Sequence, residues 1–131
     1  MTPSSGRCPC GLPALYDQCC GRFHDGANAP TAELLMRSRY SAFVKADGAY
    51  LQRTWHPRTK PRRIHLGDDR TWLGLEVVST SAGGLLDSDG TVEFIATHRQ
   101  NDGSIRSHHE VSEFTRLDGA WVYVIGAVGS I

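Results

Sequence analysis

The sequence predicts an α+β fold in which N-terminal helices pack against one face of a curved antiparallel sheet. Apolar residues recur at helical spacing only in the first half of the chain. The second half instead alternates apolar and polar residues between glycine-containing turns, which is the pattern of strands. All four cysteines lie within the first 20 residues, so a small separate unit precedes the helices. Helices followed by a run of strands are typical of the α+β class.

Two helices are predicted after the cysteine-rich segment. Thr31 is placed to cap a helix over residues 32–45, and Asp47 is placed to cap a second, shorter helix that Pro57 stops. The apolar positions of the first helix form a stripe expected to face the core: Leu35, Met36, Tyr40, Phe43 and Val44.

Strands are predicted from alternation and turn signals. They cover residues 71–80, 91–100, 105–117 and 120–128, and residues 85–87 are expected to end a strand. Asp118-Gly119 is a strong hairpin signal between the last two. The sequence therefore predicts a meander of three or four antiparallel strands.

The cysteines have the spacing of a metal site. Cys8 and Cys10 are separated by one residue, Cys19 and Cys20 are adjacent, and His24 follows closely. Four thiolates, or three thiolates and one imidazole, suit a structural zinc ion in tetrahedral coordination. The spacing therefore predicts a structural zinc site whose fourth ligand is either the last cysteine, Cys20, or His24.

Disulfides and free or redox-active thiols are the alternatives. Two bridges would suit a secreted protein, but residues 1–7 are polar and predict no signal peptide. Adjacent cysteines also bridge each other only with strain. No run approaches the ~20 apolar residues of a membrane helix, so the expected location is cytoplasmic, without a membrane partner.

Charge is balanced overall but unevenly distributed. Residues 1–70 carry 11 Lys/Arg against 6 Asp/Glu, and residues 71–131 carry 3 against 8. The basic excess concentrates between Arg53 and Arg70. Such a patch can attract phosphates or nucleic acid, but a solvated loop facing an acidic sheet explains it as well. Nucleic acid therefore remains a less favoured partner.

Several segments resemble known families. Cys8-Pro9-Cys10-Gly11, Tyr16 and Cys19-Cys20-Gly21 resemble the SEC-C motif, the zinc-binding tail of the SecA preprotein translocase ATPase. Residues 29–43, including Met36-Arg37-Ser38-Arg39-Tyr40-Ser41-Ala42-Phe43, resemble the YchJ-like family. The same family resemblance extends through residues 54–57, 72–75, 109–114 and 119–123.

The resemblance implies a fold and a metal but no reaction. It implies a zinc knuckle over residues 1–26 and, over residues 27–131, a cone similar to the cystatin-like fold of nuclear transport factor two. Position by position, the implied ligands are Cys8, Cys10, Cys19 and Cys20. Two departures matter: Leu12-Pro13-Ala14 replaces the Ser-Gly-Lys run common in SEC-C motifs, and Cys20 stands where the SecA motif has histidine.

A pocket is predicted between the concave sheet face and the first helix. Strand parity places His108, Glu110 and Phe114 on one face, and His109 and Glu113 on the other. The expected pocket residues are aromatic with two polar members: Tyr40, Phe43, Trp55, Phe94, Phe114, His108 and Glu110. The polar strand residues could equally be satisfied groups of a mixed core, and a single bulge would exchange the two faces.

Arg37 and Arg39 on the first helix offer a further choice. Each could hold an anionic ligand through its guanidinium. Alternatively, each could form an internal salt bridge to Glu110 or Glu113 and so tie helix to sheet.

The functional expectation is a zinc-binding adaptor or ligand-binding module for an unspecified protein or small molecule. The alternative is a small-pocket enzyme, an isomerase or hydrolase, using His108 and Glu110 as acid and base. A cone filled by side chains would favour the adaptor, and an open cavity would favour the ligand-binding module or the enzyme. No nucleophile elbow or phosphate loop is found, and the sequence gives no oligomeric state.

Overall fold

The computed structural model describes residues 6–64, 66 and 70–128 of the 131-residue chain. A short 3₁₀ turn, Tyr16–Gln18, is followed by three helices: α1, Cys20–His24; α2, Ala32–Lys45; and α3, Gly48–Arg53. Four strands complete the fold: β1, Arg70–Ala82; β2, Asp89–Gln100; β3, Ile105–Leu117; and β4, Ala120–Val128. The predicted α+β class is confirmed.

Both predicted helix caps are formed. Thr31 Oγ1 accepts a hydrogen bond from the Leu34 amide at 3.2 Å, and α2 spans the predicted residues. An Asp47 carboxylate oxygen accepts one from the Tyr50 amide at 3.1 Å and starts α3. These bonds satisfy amides that would otherwise lack a partner at each helix N-terminus.

The sheet is an antiparallel meander with the strand order β1-β2-β3-β4. Asp118 and Gly119 have positive φ values of 53° and 84°, which suit a two-residue hairpin between β3 and β4. Register shifts interrupt the β1–β2 pairing twice and the β3–β4 pairing once. Such bulges increase local twist and bend strands, and here they accompany the curvature of the sheet.

The expectation that residues 85–87 end a strand is wrong. They form a turn in which the Gly84 amide donates to the Asp87 carboxylate at 2.9 Å. Leu85 and Leu86 are exposed, so their apolar character does not reflect burial in a strand. A local side-chain-to-backbone bond competes successfully with strand pairing here.

Strand register confirms the predicted parity. Phe94 lies opposite Glu110 and Ala96 lies opposite His108, and opposed residues of an antiparallel pair share a face. His109 lies opposite Ile95 on the other face, where its Nε2–H donates to a Glu93 carboxylate oxygen at 2.6 Å. The bulge between Glu113 and Phe114 lies in the β3–β4 pairing and leaves the β2–β3 register intact.

The main core lies between the helices and the concave face of the sheet. Leu35, Met36 and Tyr40 from the predicted α2 stripe are buried and Phe43 packs at the core's edge, whereas Val44 is exposed. Phe23 of α1 belongs to this same core although it precedes residue 26. The domain boundary at residue 26 stays a prediction, and α1 is physically continuous with the body of the protein.

None of the described helices combines the length and the apolar character that a membrane crossing requires.

Candidate metal centre and ligand cavity

The four cysteine sulfurs converge on one point. All four side chains are buried, and their sulfur atoms lie within 4.8 Å of one another. The Sγ atoms of Cys10 and Cys19 are 3.7 Å apart. This cluster is therefore a candidate metal centre built from the predicted ligands.

Local backbone geometry brings the two cysteine pairs together. The Cys8 amide donates to the Ala14 carbonyl at 2.9 Å and closes the first loop, in which Gly11 has a φ of +96°. The 3₁₀ turn Tyr16–Gln18 then reverses the chain, and Cys20 opens α1. Each cysteine pair thus lies beside a tight turn, so both of its side chains can point toward the other pair.

The donor set fits a tetrahedral zinc ion. Zinc–thiolate bonds of about 2.3 Å place the sulfurs of a regular tetrahedron about 3.8 Å apart. The Cys10–Cys19 separation of 3.7 Å matches that edge. Hydrogen bonds from Cys10 and Cys20 lower the pKa of the Cys8 thiol. The hydrogen bonds that Cys20 makes with Cys10 and Cys8, together with burial, raise the pKa of Cys20. Four thiolates this close would repel one another unless a cation neutralised their charge.

His24 is engaged elsewhere. Its Nδ1 accepts from the Tyr16 hydroxyl at 2.5 Å, and its Nε2–H donates to the Ser38 carbonyl at 2.8 Å. Both ring nitrogens of His24 are therefore used, Nδ1 by the 3₁₀ turn and Nε2 in fastening α1 to α2. Cys20 is the residue that points into the sulfur cluster.

Two further polar contacts join the cysteine loops to α2. Cys8 Sγ lies 3.6 Å from Ser41 Oγ, and Arg37 Nη1 donates to the Cys10 carbonyl at 2.8 Å. Arg37 also forms an ion pair with Glu33 of the same helix at 2.9 Å. Arg37 therefore joins α2 to the knuckle, and its ion pair is with Glu33 and not with Glu110 or Glu113 of the sheet.

A cavity of about 380 Å³ lies beneath α2. Its lining combines aromatic rings with a few polar groups: Met36, Arg39, Tyr40, Phe43, Trp55, Arg70, Trp72, Phe94, Ala96, His108, Glu110, Ser112 and Tyr123. Six of the seven residues predicted for a pocket are in this set. Cavities of this size and composition are typical of small-molecule sites.

Phe114 is the predicted pocket residue that lies elsewhere. It is 1% exposed and packs edge-on against Tyr123, behind the cavity wall. On its other side it borders a more open groove of about 660 Å³, which is lined mostly by small and polar residues. Phe114 keeps the face of Glu110 and Ser112, but it lies farther along β3, where its ring is buried in the core against Tyr123 and does not line the cavity.

Arg39 supplies the cavity with a buried cation. Its guanidinium lies 4.9 Å from the Trp55 ring centre and 4.6 Å from that of Tyr123. Nη1 donates to the Leu51 carbonyl at 2.9 Å and to Thr54 Oγ1 at 2.8 Å. Burial lowers the pKa of Arg39 to about 10, so the group remains charged at neutral pH.

Glu110 is the acidic group of the cavity and is held by three donors. His108 Nε2–H donates to Oε1 at 2.8 Å, whereas Ser112 Oγ and the Tyr123 hydroxyl donate to Oε2 at 2.5 and 3.3 Å. A Cβ at Gly126 would lie 1.8 Å from Oε2, so only glycine leaves room for the carboxylate there. Burial raises the pKa of Tyr123 to about 12, which keeps its hydroxyl protonated.

Seven lining residues were not predicted as pocket members: Met36, Arg39, Arg70, Trp72, Ala96, Ser112 and Tyr123. Trp72 lies opposite His98, and Tyr123 lies opposite Phe114, so strand pairing could have placed both on the concave face. Arg70 is the first residue of β1, and the ends of strands are what sequence alternation predicts least reliably.

The basic residues after α3 lie on an exposed loop. Arg58, Lys60, Arg62 and Arg63 are exposed on the loop between α3 and β1. Within the described part of the chain, no salt bridge involves them.

Comparison with known proteins identifies the family. Residues 31–126 match the family model described as "YchJ, middle NTF2-like domain". The chain belongs to the YchJ family. A UPF0225 protein of Streptomyces avermitilis is 54% identical over 125 residues, covering 95% of this chain and 86% of the relative. A UPF0225 protein of Streptomyces coelicolor is 55% identical over 120 residues, covering 91% and 93%.

Two solved structures share the YchJ-family fold with its N-terminal motif. The solution structure of a SEC-C motif containing protein from Rhodopseudomonas palustris has a TM-score of 0.84 and 35% identity, covering 95% of this chain and all of that one. The crystal structure of a SEC-C motif containing protein from Psychrobacter arcticus has a TM-score of 0.78 and 31% identity, covering all of this chain and 87% of that one. Both predicted resemblances, to the YchJ-like family and to the SEC-C motif, are therefore confirmed.

Proposed function

We propose that this YchJ-family chain is a zinc-stabilised protein that binds a small molecule inside its cone. The cavity beneath α2 carries this proposal, because a cone filled by side chains would have left no room for a ligand. The cavity's aromatic walls would bury an apolar body, and its few polar groups would orient it.

The knuckle is assigned a structural role. Four cysteine ligands leave zinc no open coordination position for water or substrate, which a catalytic zinc ion requires. Bound zinc would cross-link two short turns that bury little apolar surface of their own. The identity of the metal and the role of the cavity are tested together by native mass spectrometry.

The protein purified without denaturation should carry the mass of one zinc ion and of a co-purified small molecule. The variant Ala96→Phe fills the cavity from its floor and should lose the small molecule while keeping zinc. Thr97→Val, at the neighbouring position on the outer sheet face, is the matched control and should keep both. Retention of the small molecule by Ala96→Phe would contradict a ligand site in the cone.

A small-pocket enzyme is the second candidate. It is favoured by the 2.8 Å bond between His108 Nε2 and Glu110 Oε1, since a carboxylate that orients an imidazole is suited to proton transfer. The co-purified molecule, added in excess and followed by NMR in D₂O, should then exchange a proton or convert to a product. His108→Asn should stop that change while leaving binding intact. An unchanged molecule with the wild-type protein would exclude this candidate.

A further inference from the structure

Arg39 is a buried cation whose polar contacts are all neutral. The side chain is 4% exposed, and Nη1 bonds only to a carbonyl and a hydroxyl. Within the described part of the chain, no carboxylate oxygen lies within 4.0 Å of its nitrogen atoms. Buried charges in proteins are normally paired, because removing an ion from water without a counter-charge is costly.

A second donor without an acceptor lies beside Arg39. The indole Nε1 of Trp55 is buried and has no hydrogen-bond partner among the described residues. The Arg39 guanidinium stacks on this same indole ring, and both residues line the cavity. Buried indole N–H groups usually find an acceptor. One acceptor placed in the cavity could therefore satisfy both side chains.

The position of Trp55 is fixed by the strand that it joins. The Tyr123 amide donates to the Thr54 carbonyl, and the His56 amide donates to the Tyr123 carbonyl, both at 2.8 Å. These bonds add the segment after α3 to the edge of β4 and hold the indole over the cavity. The two donors are therefore set by backbone pairing before any ligand arrives, which lowers the entropy cost of binding.

The charge of the cavity favours an anion. Arg39 and Arg70 contribute two positive charges, and Glu110 contributes one negative charge. Glu110 already accepts hydrogen bonds from His108, Ser112 and Tyr123, so its charge is partly compensated. A monoanion bound at Arg39 would leave the described lining close to neutral.

We propose that the cavity binds a small aromatic carboxylate, whose carboxylate accepts hydrogen bonds from the Arg39 guanidinium and from Trp55 Nε1. This inference rests on the proposed ligand-binding function and adds the chemical class of the ligand. The ring of the ligand packs among Tyr40, Phe43 and Phe94, and a volume of about 380 Å³ accommodates a one- or two-ring acid. A planar carboxylate can also accept two parallel hydrogen bonds from a guanidinium, which a single acceptor atom cannot do.

The test compares an acid with its neutral isostere. Binding of 2-naphthoate and 2-naphthamide to the full chain is measured by titration calorimetry. Loss of a charge-assisted hydrogen bond should weaken the amide by about tenfold or more relative to the acid. Trp55→Phe keeps an aromatic ring and removes only the donor, so it should weaken naphthoate several-fold. Naphthamide should weaken less, because its carbonyl oxygen is a neutral acceptor.

Arg39→Gln should remove the preference for the acid, and Arg99→Gln is its matched control. Arg99 is an exposed arginine of β2 outside the cavity lining, so its loss changes the net charge equally without changing the site. If Arg39→Gln fails to fold, the effects of Trp55→Phe on naphthoate and on naphthamide still test whether the site prefers a carboxylate. Equal affinity of wild type for acid and amide would overturn the carboxylate inference and leave the proposed ligand site intact. No binding of naphthoate would also overturn it, whereas the proposed function is judged separately by the mass of co-purified ligand.

Discussion

Cys8 Sγ lies 3.6 Å from Ser41 Oγ, so the sulfur cluster touches the helix that also roofs the cavity. Ser41 faces the knuckle, while Arg39 and Tyr40 on the same helix face the cavity. The order of the metal centre and the order of the cavity are therefore linked through the packing of α2.

The first prediction concerns the metal ligands. Reduced protein purified under native conditions should contain about one zinc ion per chain, held by four thiolates. Cys20→Ser should lower the zinc content sharply, because Cys20 points into the cluster. His24→Gln should retain full zinc content, because both nitrogens of His24 bond to other groups. Elemental analysis measures both, and a fully folded, metal-free knuckle would refute the assignment.

The second prediction concerns metal removal. A chelator should first abolish amide-exchange protection before residue 30, because small metal modules draw their folding free energy from the ion. Protection should then weaken around Arg37 and Ser41, which contact the knuckle, while β2 and β3 stay protected. Hydrogen exchange read by mass spectrometry follows the order of these events. Loss of protection in the strands at the same chelator concentration would show that knuckle and cone form one cooperative unit.

The third prediction concerns Phe23, which precedes the predicted domain boundary yet lies in the main core. Phe23→Ala should lower the free energy of unfolding of the body by about 3–5 kcal/mol, as large-to-small core substitutions do. Leu15→Ala is the control, since Leu15 is 45% exposed in the knuckle, and it should change stability by no more than about 0.5 kcal/mol. Urea denaturation followed by far-UV circular dichroism measures both. A near-neutral Phe23→Ala would mean that the body folds independently of α1.

The fourth prediction concerns pH and the outer sheet face. Hydrogen bonds from His109 and Ser79 hold the pKa of Glu93 below its usual range. A carboxyl whose pKa is lower in the folded state stabilises the fold above its unfolded pKa, and that contribution is lost as pH falls through the folded value. Glu93→Gln should therefore have a lower Tm than wild type at pH 7, and the difference should shrink below about pH 4.

Glu76→Gln is the matched control for Glu93. Glu76 lies on the neighbouring strand and pairs with Ile95, and no side-chain hydrogen bond or salt bridge to it is found within the described chain. Its Tm difference from wild type should be small at pH 7. A pH-independent Tm difference for Glu93→Gln would show that this carboxylate does not carry the effect.

Short-range patterns were sufficient to predict most of the fold. The caps at Thr31 and Asp47, the bounds of α2, and the ends of β3 and β4 follow from local hydrogen bonding and from periodicity, which act within a few residues. The misassigned turn at residues 85–87 shows the limit of that method. Leu85 and Leu86 are apolar and so suggest a strand, but both are exposed. The hydrogen bond from the Gly84 amide to the Asp87 carboxylate forms a turn there instead.

The residues of the candidate site also divide into those that local patterns predict and those that require the tertiary structure. Strand alternation alone was enough to place His108 and Glu110 on the concave face, because neighbouring side chains of a strand must point to opposite sides. The same reasoning included Phe114, which does share that face, but its ring is buried in the core against Tyr123. Alternation gives the face of a side chain and does not tell a core position from a cavity wall. The choice between Cys20 and His24 likewise required coordinates, since it depends on what else each side chain reaches.

Residue types and local spacing thus specified which elements form, which cysteines could share a metal, and which strand residues share a face. Tertiary packing decided that Arg39 lies between Trp55 and Tyr123, with no carboxylate within reach among the described residues. These three residues come from α2, the segment after α3, and β4, far apart in sequence. Their meeting depends on the strand-like pairing of Trp55 with Tyr123 and on the curvature of the sheet, which are long-range contacts that no local pattern encodes.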